Sequence, residues 1–177
     1  RGTVFGQHHA YRADGTHNRT MFGRTLETPI GPAAGPHTQM TQNIVAAYYA
    51  GSRFFELKTV QIMDGEELAA CINRPCIKAD DEGYNCEWST ELTVPDAMSE
   101  YIKAWFALHV MAKEFGLGAQ DGFQFNISVG YDLAGIKSEK INHFIDTMMH
   151  AGQDATFTEC KKWLLKNIEK FDKYRSE

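Results

Sequence analysis

No apolar run in this 177-residue chain approaches the ~20 residues a helix needs to cross a bilayer, and no signal-peptide pattern is visible. Neither a membrane partner nor export is expected. Basic stripes are also missing. The 18 Lys and Arg are outnumbered by 23 Asp and Glu, and the formal charge of −5 argues against a nucleic-acid surface. The lysines from Lys161 to Lys173 alternate with acids and apolar residues, as on a solvated helix face. Cysteine is sparse: Cys71, Cys76, Cys86 and Cys160. The C-x4-C-x9-C spacing of the first three matches no zinc or iron–sulfur pattern, and a chain of this size needs no disulfide staples. Reduced thiols, no metal site and a cytoplasmic location are therefore expected. The adjacent His8 and His9 do not share a helix face and read as solvent-exposed. The G-x-G-x-x-G dinucleotide fingerprint is absent. No Ser-His-Asp or Cys-His geometry can be argued from spacing, so no catalytic nucleophile is assigned.

What is present is ordinary globular material, 43% hydrophobic and 23% charged, enough for one sizeable core. Its most informative stretch is Arg53-Phe-Phe-Glu-Leu-Lys-Thr59. Alternate side chains of a strand share a face, so Phe55 and Leu57 point one way while Glu56 and Lys58 point the other. Phe123-Gln-Phe-Asn-Ile-Ser-Val129 repeats the pattern, with Gln124, Asn126 and Ser128 on the polar side. Charges and amides are rarely buried without partners. These strands should share an apolar outer side and a polar inner side, as barrel strands facing a ligand do.

Around them the chain alternates strand and helix. Residues 1–19 read as an irregular lead-in, and Thr20–Leu26 as a hairpin turning at Gly23. Pro29–Gly35 is a short segment of small residues, followed by a helix over Gln42–Ala50 in which Ile44, Ala47 and Tyr48 share a side. Residues 62–92 form a long connection whose Tyr84, Trp88 and Leu92 argue for order. A helix over Thr93–Phe115 opens with a Thr93–Asp96 capping box and ends at Gly116; its stripe is Met98, Ile102, Trp105, His109 and Ala112, widened by Tyr101, Leu108 and Phe115. His109 reads as a helix-packing histidine. A third helix over Ser138–His150 turns Ile141, Phe144, Ile145 and Met148 inward. Thr156–Glu159 caps a last helix carrying Cys160, Leu164, Ile168 and Phe171.

The order β-α-β-α-β-α-α predicts an α/β fold with a parallel sheet covered by helices. Its strand C-termini, where such folds bind ligands, gather Ala34-Gly35, Lys58-Thr59 and Ser128-Val129-Gly130 at one edge, with His37 and Thr38 near by. Ala33-Ala34-Gly35 has almost no side chain, so a flat ring can lie on its backbone, whose N–H and C=O groups are expected to remain free. Its plainer reading is a tight strand-to-helix turn. Lys58 could pair with an anionic ligand or place positive charge beside a flavin's pyrimidine edge. The alternative is a pair with Glu56, two residues away and about 6.5–7 Å along the strand. Asn126 offers donors and an acceptor to a flavin ring or a sugar-like chain, or is a satisfied interior amide.

Thr28–Gly35, Gly51–Val60, Arg74-Pro75 and Phe125–Gly130 resemble the opening of dihydroorotate and dihydropyrimidine dehydrogenase-type FMN barrels. With Gly35-Pro-His-Thr-Gln39 and Asn85-Cys-Glu-Trp-Ser-Thr-Glu91, the stretch 20–152 is similar to the N-terminal barrel of the selenate reductase (YgfK-type) iron–sulfur flavoproteins. The resemblance implies a partial (β/α)8 TIM-type barrel. It would comprise about three βα units over 20–152, an N-terminal hairpin, and an extra helix over 153–177 that is an insertion or the start of the next segment. It also implies FMN held by the backbone of Ala33, Ala34 and Gly35, by Lys58 with Thr59, and by Asn126 with Ser128. Asn85 would take the place of a substrate-binding asparagine. Larger relatives add 4Fe-4S clusters and an FAD/NAD(P)H module, so the expected partners are the remainder of this chain's parent and other redox subunits. The catalytic Cys or Ser is expected beyond residue 177. The chain begins at Arg1 and stops in a charged tail, which reads as a piece of something longer and inactive alone.

The leading expectation is part of an FMN-dependent oxidoreductase that passes electrons to or from those modules. A non-catalytic half-barrel scaffold that organises redox partners is the second reading. An aldolase-type barrel with Lys58 as Schiff-base amine is the third.

Overall fold

The computed structural model describes residues 6–71 and 92–175. In chain order the elements are a hairpin of β1 (Arg19–Met21) and β2 (Arg24–Leu26), a 3-10 turn (Pro36–Gln39), α1 (Thr41–Ala50) and β3 (Phe54–Glu56). Then come α2 (Gly65–Cys71), α3 (Val94–Phe115), β4 (Gln124–Asn126), α4 (Leu133–Ile136), α5 (Glu139–Met149), α6 (Ala155–Lys166) and α7 (Asp172–Arg175).

β3 and β4 pair in parallel, with Phe54 opposite Gln124, Phe55 opposite Phe125 and Glu56 opposite Asn126. A further parallel bridge joins Val60 to Val129. The Pro29–Gly35 segment runs along the other edge of β3. The Ile30 carbonyl accepts from the Arg53 and Phe54 amides at 2.9 and 3.1 Å, and the Pro32 carbonyl accepts from Glu56 at 3.2 Å. It is not a regular strand because Pro29 and Pro32 have no N–H to give to a ladder. A Cβ at Gly31 would lie 1.4 Å from the Phe54 carbonyl oxygen, so this approach requires glycine. The three segments thus lie side by side in chain order and all run one way.

The apolar sides of these segments meet one helical layer. Phe55, Leu57 and Val60 share a core with Ile44 and Tyr48 of α1, Ala97, Tyr101, Ala104 and Leu108 of α3, and Ile141 and Phe144 of α5. Each large side chain buried there contributes about 1.5–3 kcal/mol. The opposite side of the sheet carries half-buried Phe54, Lys58, Gln124 and Asn126 with exposed Glu56 and Ser128. Helices on one face and polar residues on the other are what a barrel wall requires; a doubly wound sheet would be covered on both faces.

At the N-terminal end of the strands, Phe22 and Gly23 both have positive φ (50° and 76°), the geometry of a type I′ hairpin, and Phe22 stacks on Phe54 with ring centroids 6.2 Å apart. The fully buried Arg53 lies there too. Its Nε donates to Glu27 Oε2 at 2.7 Å, and its other nitrogens donate to the carbonyls of Tyr48, Ser52 and Leu117 at 2.9, 2.9 and 3.2 Å. The lead-in contains no helix among its described residues, but the Tyr11 and Ala13 amides tie it to Tyr49 and Leu117.

Four expectations change in detail. The 62–92 connection contains α2, started by Asp64, whose side chain accepts from the Glu66 and Glu67 amides. The stripe of α3 is shifted at its edges: Tyr101, Ile102, Leu108 and Ala112 are buried as expected and Ala97 and Ala104 join them, while Trp105 is 42% exposed and Phe115 is also exposed, because small alanines let the helix lie close to the sheet. The last helix is capped by Asp154, which accepts from Thr156, and it breaks at Asn167, so Ile168 and Phe171 fall beyond it. The third strand is regular only over Gln124–Asn126. Elsewhere the caps agree: Thr93 accepts from Asp96 and Gly116 ends α3 with φ 59°. Among the described residues no helix is long and apolar enough to cross a membrane.

Candidate functional site

The C-terminal ends of the parallel segments are where sequence and geometry converge. Between the pair Glu56–Asn126 and the bridge Val60–Val129, the segment after β3 has three residues (57–59) and the segment after β4 only two (127 and 128). One residue is extra, which makes a bulge. Leu57 is 1% and Val60 4% exposed, and both belong to the core; Lys58 and Thr59 between them do not. The bulge therefore sends two consecutive side chains to the polar side, which strict alternation forbids. Thr59 Oγ1 meets Ser128 Oγ at 2.9 Å across the strands. Lys58 Nζ lies 3.4 Å from the Thr59 carbonyl, to which it donates.

Asn126 sits one step below this rim. Its Nδ2 donates to the Phe55 carbonyl at 3.1 Å and its Oδ1 accepts from Gln124 Nε2 at 2.8 Å. Gln124 Oε1 is buried and has no donor among the described residues. The polar face thus reads, from the N-terminal end upward, Phe54 and Gln124, Glu56 and Asn126, then Lys58, Thr59 and Ser128.

On the other side of β3, Ala33 and Ala34 are exposed, and neither makes a backbone hydrogen bond among the described residues. Gly35 departs from expectation. Its N–H donates to Thr38 Oγ1 at 3.1 Å, and its carbonyl accepts from the Thr38 hydroxyl and amide, both at 2.9 Å. The 3-10 turn consumes the glycine's backbone because its first N–H groups need an acceptor. His37 lies against the same residue: a Cβ at Gly35 would fall 2.9 Å from its ring. A shallow cavity of 330 Å³ is lined by Pro29 to Ala33 with Phe54 and Glu56, on the polar side of these segments.

The structure therefore places Lys58, Thr59, Asn126 and Ser128 on one polar face, with the exposed residues Ala33 and Ala34 on the neighbouring segment. It removes Gly35 as a backbone donor. Asn85 lies outside the described residues, as do Cys76 and Cys86. Cys71 and Cys160 are free thiols, the first exposed and the second half-buried, where burial raises the thiol pKa. Among the described residues no group of three or more His, Cys, Asp or Glu could hold a metal. His109 packs between Trp105 and Phe123, with centroids 3.9 and 5.1 Å away, and burial lowers its pKa. It is distant in role from the rim, as a packing histidine should be.

Tyr131 also stands beside these groups. It follows the rim on the β4–α4 loop with φ 84° and is 67% exposed. An aromatic residue held at positive φ costs about 1–3 kcal/mol, and such strain concentrates at ligand sites. The loop is fixed on both sides, by Gly130 N–H donating to the Val60 carbonyl at 3.0 Å and by Asp132 accepting from Gly135 at 2.6 Å. Gly130-Tyr131-Asp132 reads only as a turn in sequence, so no signal announced it.

Comparison with known proteins agrees with this architecture. The family described as "Oxidoreductase YgfK, N-terminal TIM-barrel domain" matches residues 5–177. The chain is 50% identical over 151 residues to the protein named "Putative oxidoreductase YgfK" of Escherichia coli (strain K12), and to the same degree to its counterpart in Escherichia coli O157:H7. Those alignments cover 85% of this chain and 14% of each relative's length. No solved structure matches. A parallel, one-face-covered sheet with a polar rim and this match over nearly its whole length place the chain in the YgfK N-terminal TIM-barrel domain family.

Proposed function

We propose that this domain supplies part of an FMN site in a larger oxidoreductase, the flavin lying over the C-terminal ends of the parallel segments. The observation that carries the reading is the bulge at 57–59, which sets an ammonium and two hydroxyls on the same polar face as the Asn126 carboxamide, next to the segment of the exposed Ala33 and Ala34. That donor set fits a flavin. A flat ring can lie on the alanine segment, Lys58 provides the positive charge that stabilises a reduced ring, and hydroxyl and carboxamide groups suit its polar edge. Bound there, FMN would supply hydride and single-electron chemistry; this chain's residues would bind and orient it and keep its edge beside a cation. Gly35 contributes shape only.

In this proposal the remaining wall, the catalytic Cys or Ser, the 4Fe-4S clusters and the FAD and NAD(P)H sites belong to other parts of the parent protein, of which the matched relatives are seven times longer than their aligned portion. Electrons pass between those modules and the flavin. Selenate as acceptor rests on the resemblance alone, and Asn85 as a substrate contact is part of the same proposal.

A second reading has one observation in its favour. The Asn126 carboxamide is already engaged by Phe55 and Gln124, as an interior amide of a scaffold would be. Absorbance separates the two. A purified full-length parent showing flavin bands, with FMN released on denaturation, supports the proposal. A folded, colourless parent that takes up no FMN supports the scaffold.

A further inference from the structure

The bulge that shapes the rim leaves a backbone acceptor behind it. At the extra residue the Lys58 carbonyl turns toward the helical layer, where the Tyr101 hydroxyl donates to it at 2.6 Å. Tyr101 is fully buried on α3, its ring edge-on to Phe144 with centroids 6.4 Å apart, among the apolar side chains of the core. A phenol in such surroundings must find an acceptor, because an unpaired O–H there would forfeit its hydration with nothing in return. A phenylalanine would fill nearly the same space. Thr59 and Ser128 hold the bulge from the front, Tyr101 from behind, and the two contacts fix the backbone on either side of the Lys58 side chain.

We propose that Tyr101 is a positioning residue: through its hydrogen bond to the Lys58 carbonyl it fixes the bulge, and with it the direction in which the Lys58 ammonium and the Thr59 hydroxyl meet a ligand. The flavin consequence rests on the function proposed above; the positioning itself does not. Removing the hydroxyl leaves the ring and the core in place but frees the bulge to slide toward regular pairing. Lys58 then becomes more mobile while lysines elsewhere are unaffected.

The test uses the full-length parent with flavin removed. Trinitrobenzenesulfonate labels lysines, and peptide mass spectrometry reads the rate at each one. Tyr101→Phe should raise the Lys58 rate about threefold or more, the size of effect expected from losing one hydrogen bond. Lys161 should keep its rate. Ile44→Val loosens the same core from α1, without touching the Lys58 carbonyl or the Tyr101 ring stack, and should leave the Lys58 rate unchanged. Thr59→Val releases the bulge from the front and should act like Tyr101→Phe, which keeps the test open if that variant fails to fold. An unchanged Lys58 rate in the folded Tyr101→Phe protein, or in Thr59→Val where Tyr101→Phe does not fold, overturns the inference. So does an equal rise in Ile44→Val, since that would be general loosening. A parent that never binds FMN but shows the selective rise refutes the flavin reading and leaves the positioning role standing; a flavin-binding parent without the rise does the reverse.

Discussion

Replacing Glu27 removes the partner of the most deeply buried charge in the described structure. Arg53 is fully buried, stacks over Tyr48 at 3.9 Å and spends its donors on Glu27 and three carbonyls. Glu27 also accepts from the Ala119 amide, and Gly118 and Gly122 pack so closely that a Cβ on either would fall 2.2 or 2.4 Å from its side chain. Nothing larger than glycine fits there, so the carboxylate has no alternative position. Breaking a buried pair by removing one partner costs about 3–5 kcal/mol, because the other charge is left in low dielectric. Three carbonyls still hold the guanidinium in Glu27→Gln, which puts that variant near the lower end, about 3 kcal/mol. Glu27→Ala, which also orphans the Ala119 amide, belongs near the upper end. Replacing both residues, Glu27→Met with Arg53→Met, should recover part of the loss, since no unpaired charge remains. The assay is urea unfolding of the chain followed by circular dichroism. Single variants that each lose less than about 1 kcal/mol, the level of an exposed pair, would refute the reasoning.

Three further outcomes are expected. Gly31→Ala should prevent the first segment from lying on β3, because the added carbon would overlap the Phe54 carbonyl; loss of more than about 3 kcal/mol, beyond ordinary overpacking, or failure to yield soluble protein is the result to look for. Thr93→Ala should cost about 1 kcal/mol in thermal unfolding through loss of the α3 cap, with little effect at the rim. Glu100 supplies a pH dependence. Burial opposes its ionised form, but the Thr41 hydroxyl and amide at 2.6 and 2.8 Å, with Lys103, outweigh that, and its carboxyl titrates below the usual 4.5. A folded-state pKa below the unfolded one stabilises above the unfolded value and loses that stabilisation as pH falls through the folded value. The stability gap between the wild type and Glu100→Gln should thus be full at pH 7 and narrow as pH falls below the ordinary 4.5; a gap constant with pH would contradict it.

Much of the wall was legible because its signals are local. Phe55 and Leu57 against Glu56 and Lys58 fix which face of β3 is buried through simple alternation; along β4 the contrast is weaker, since Phe123 is buried but Gln124, Phe125 and Asn126 are all half-buried and Ile127 is exposed. Thr93 and Gly116 mark α3 through capping chemistry that needs no tertiary information. The bulge was not legible. Strict alternation turns Thr59 toward the core, and only the offset between Glu56–Asn126 and Val60–Val129 reveals that it faces the rim. The engagement of the Gly35 backbone was not legible for a similar reason, since the hydroxyl that meets it lies three residues on, in a turn whose geometry the sequence leaves open. The role of Tyr101 depends on a carbonyl 43 positions away, and no periodicity along α3 points to it.

The most direct measurement of the central claim is an FMN titration of the flavin-stripped parent, comparing Lys58→Met, Asn126→Ala and Ser128→Ala with a distant control, Lys161→Ala. Loss of a charge-assisted hydrogen bond, about 1.5–3 kcal/mol, predicts weakening of roughly ten- to a hundredfold for Lys58→Met. The carboxamide and hydroxyl variants should lose severalfold, and the control should bind as the wild type does. Rim variants indistinguishable from Lys161→Ala in a folded, FMN-binding parent would contradict the account, because the flavin would then lie elsewhere.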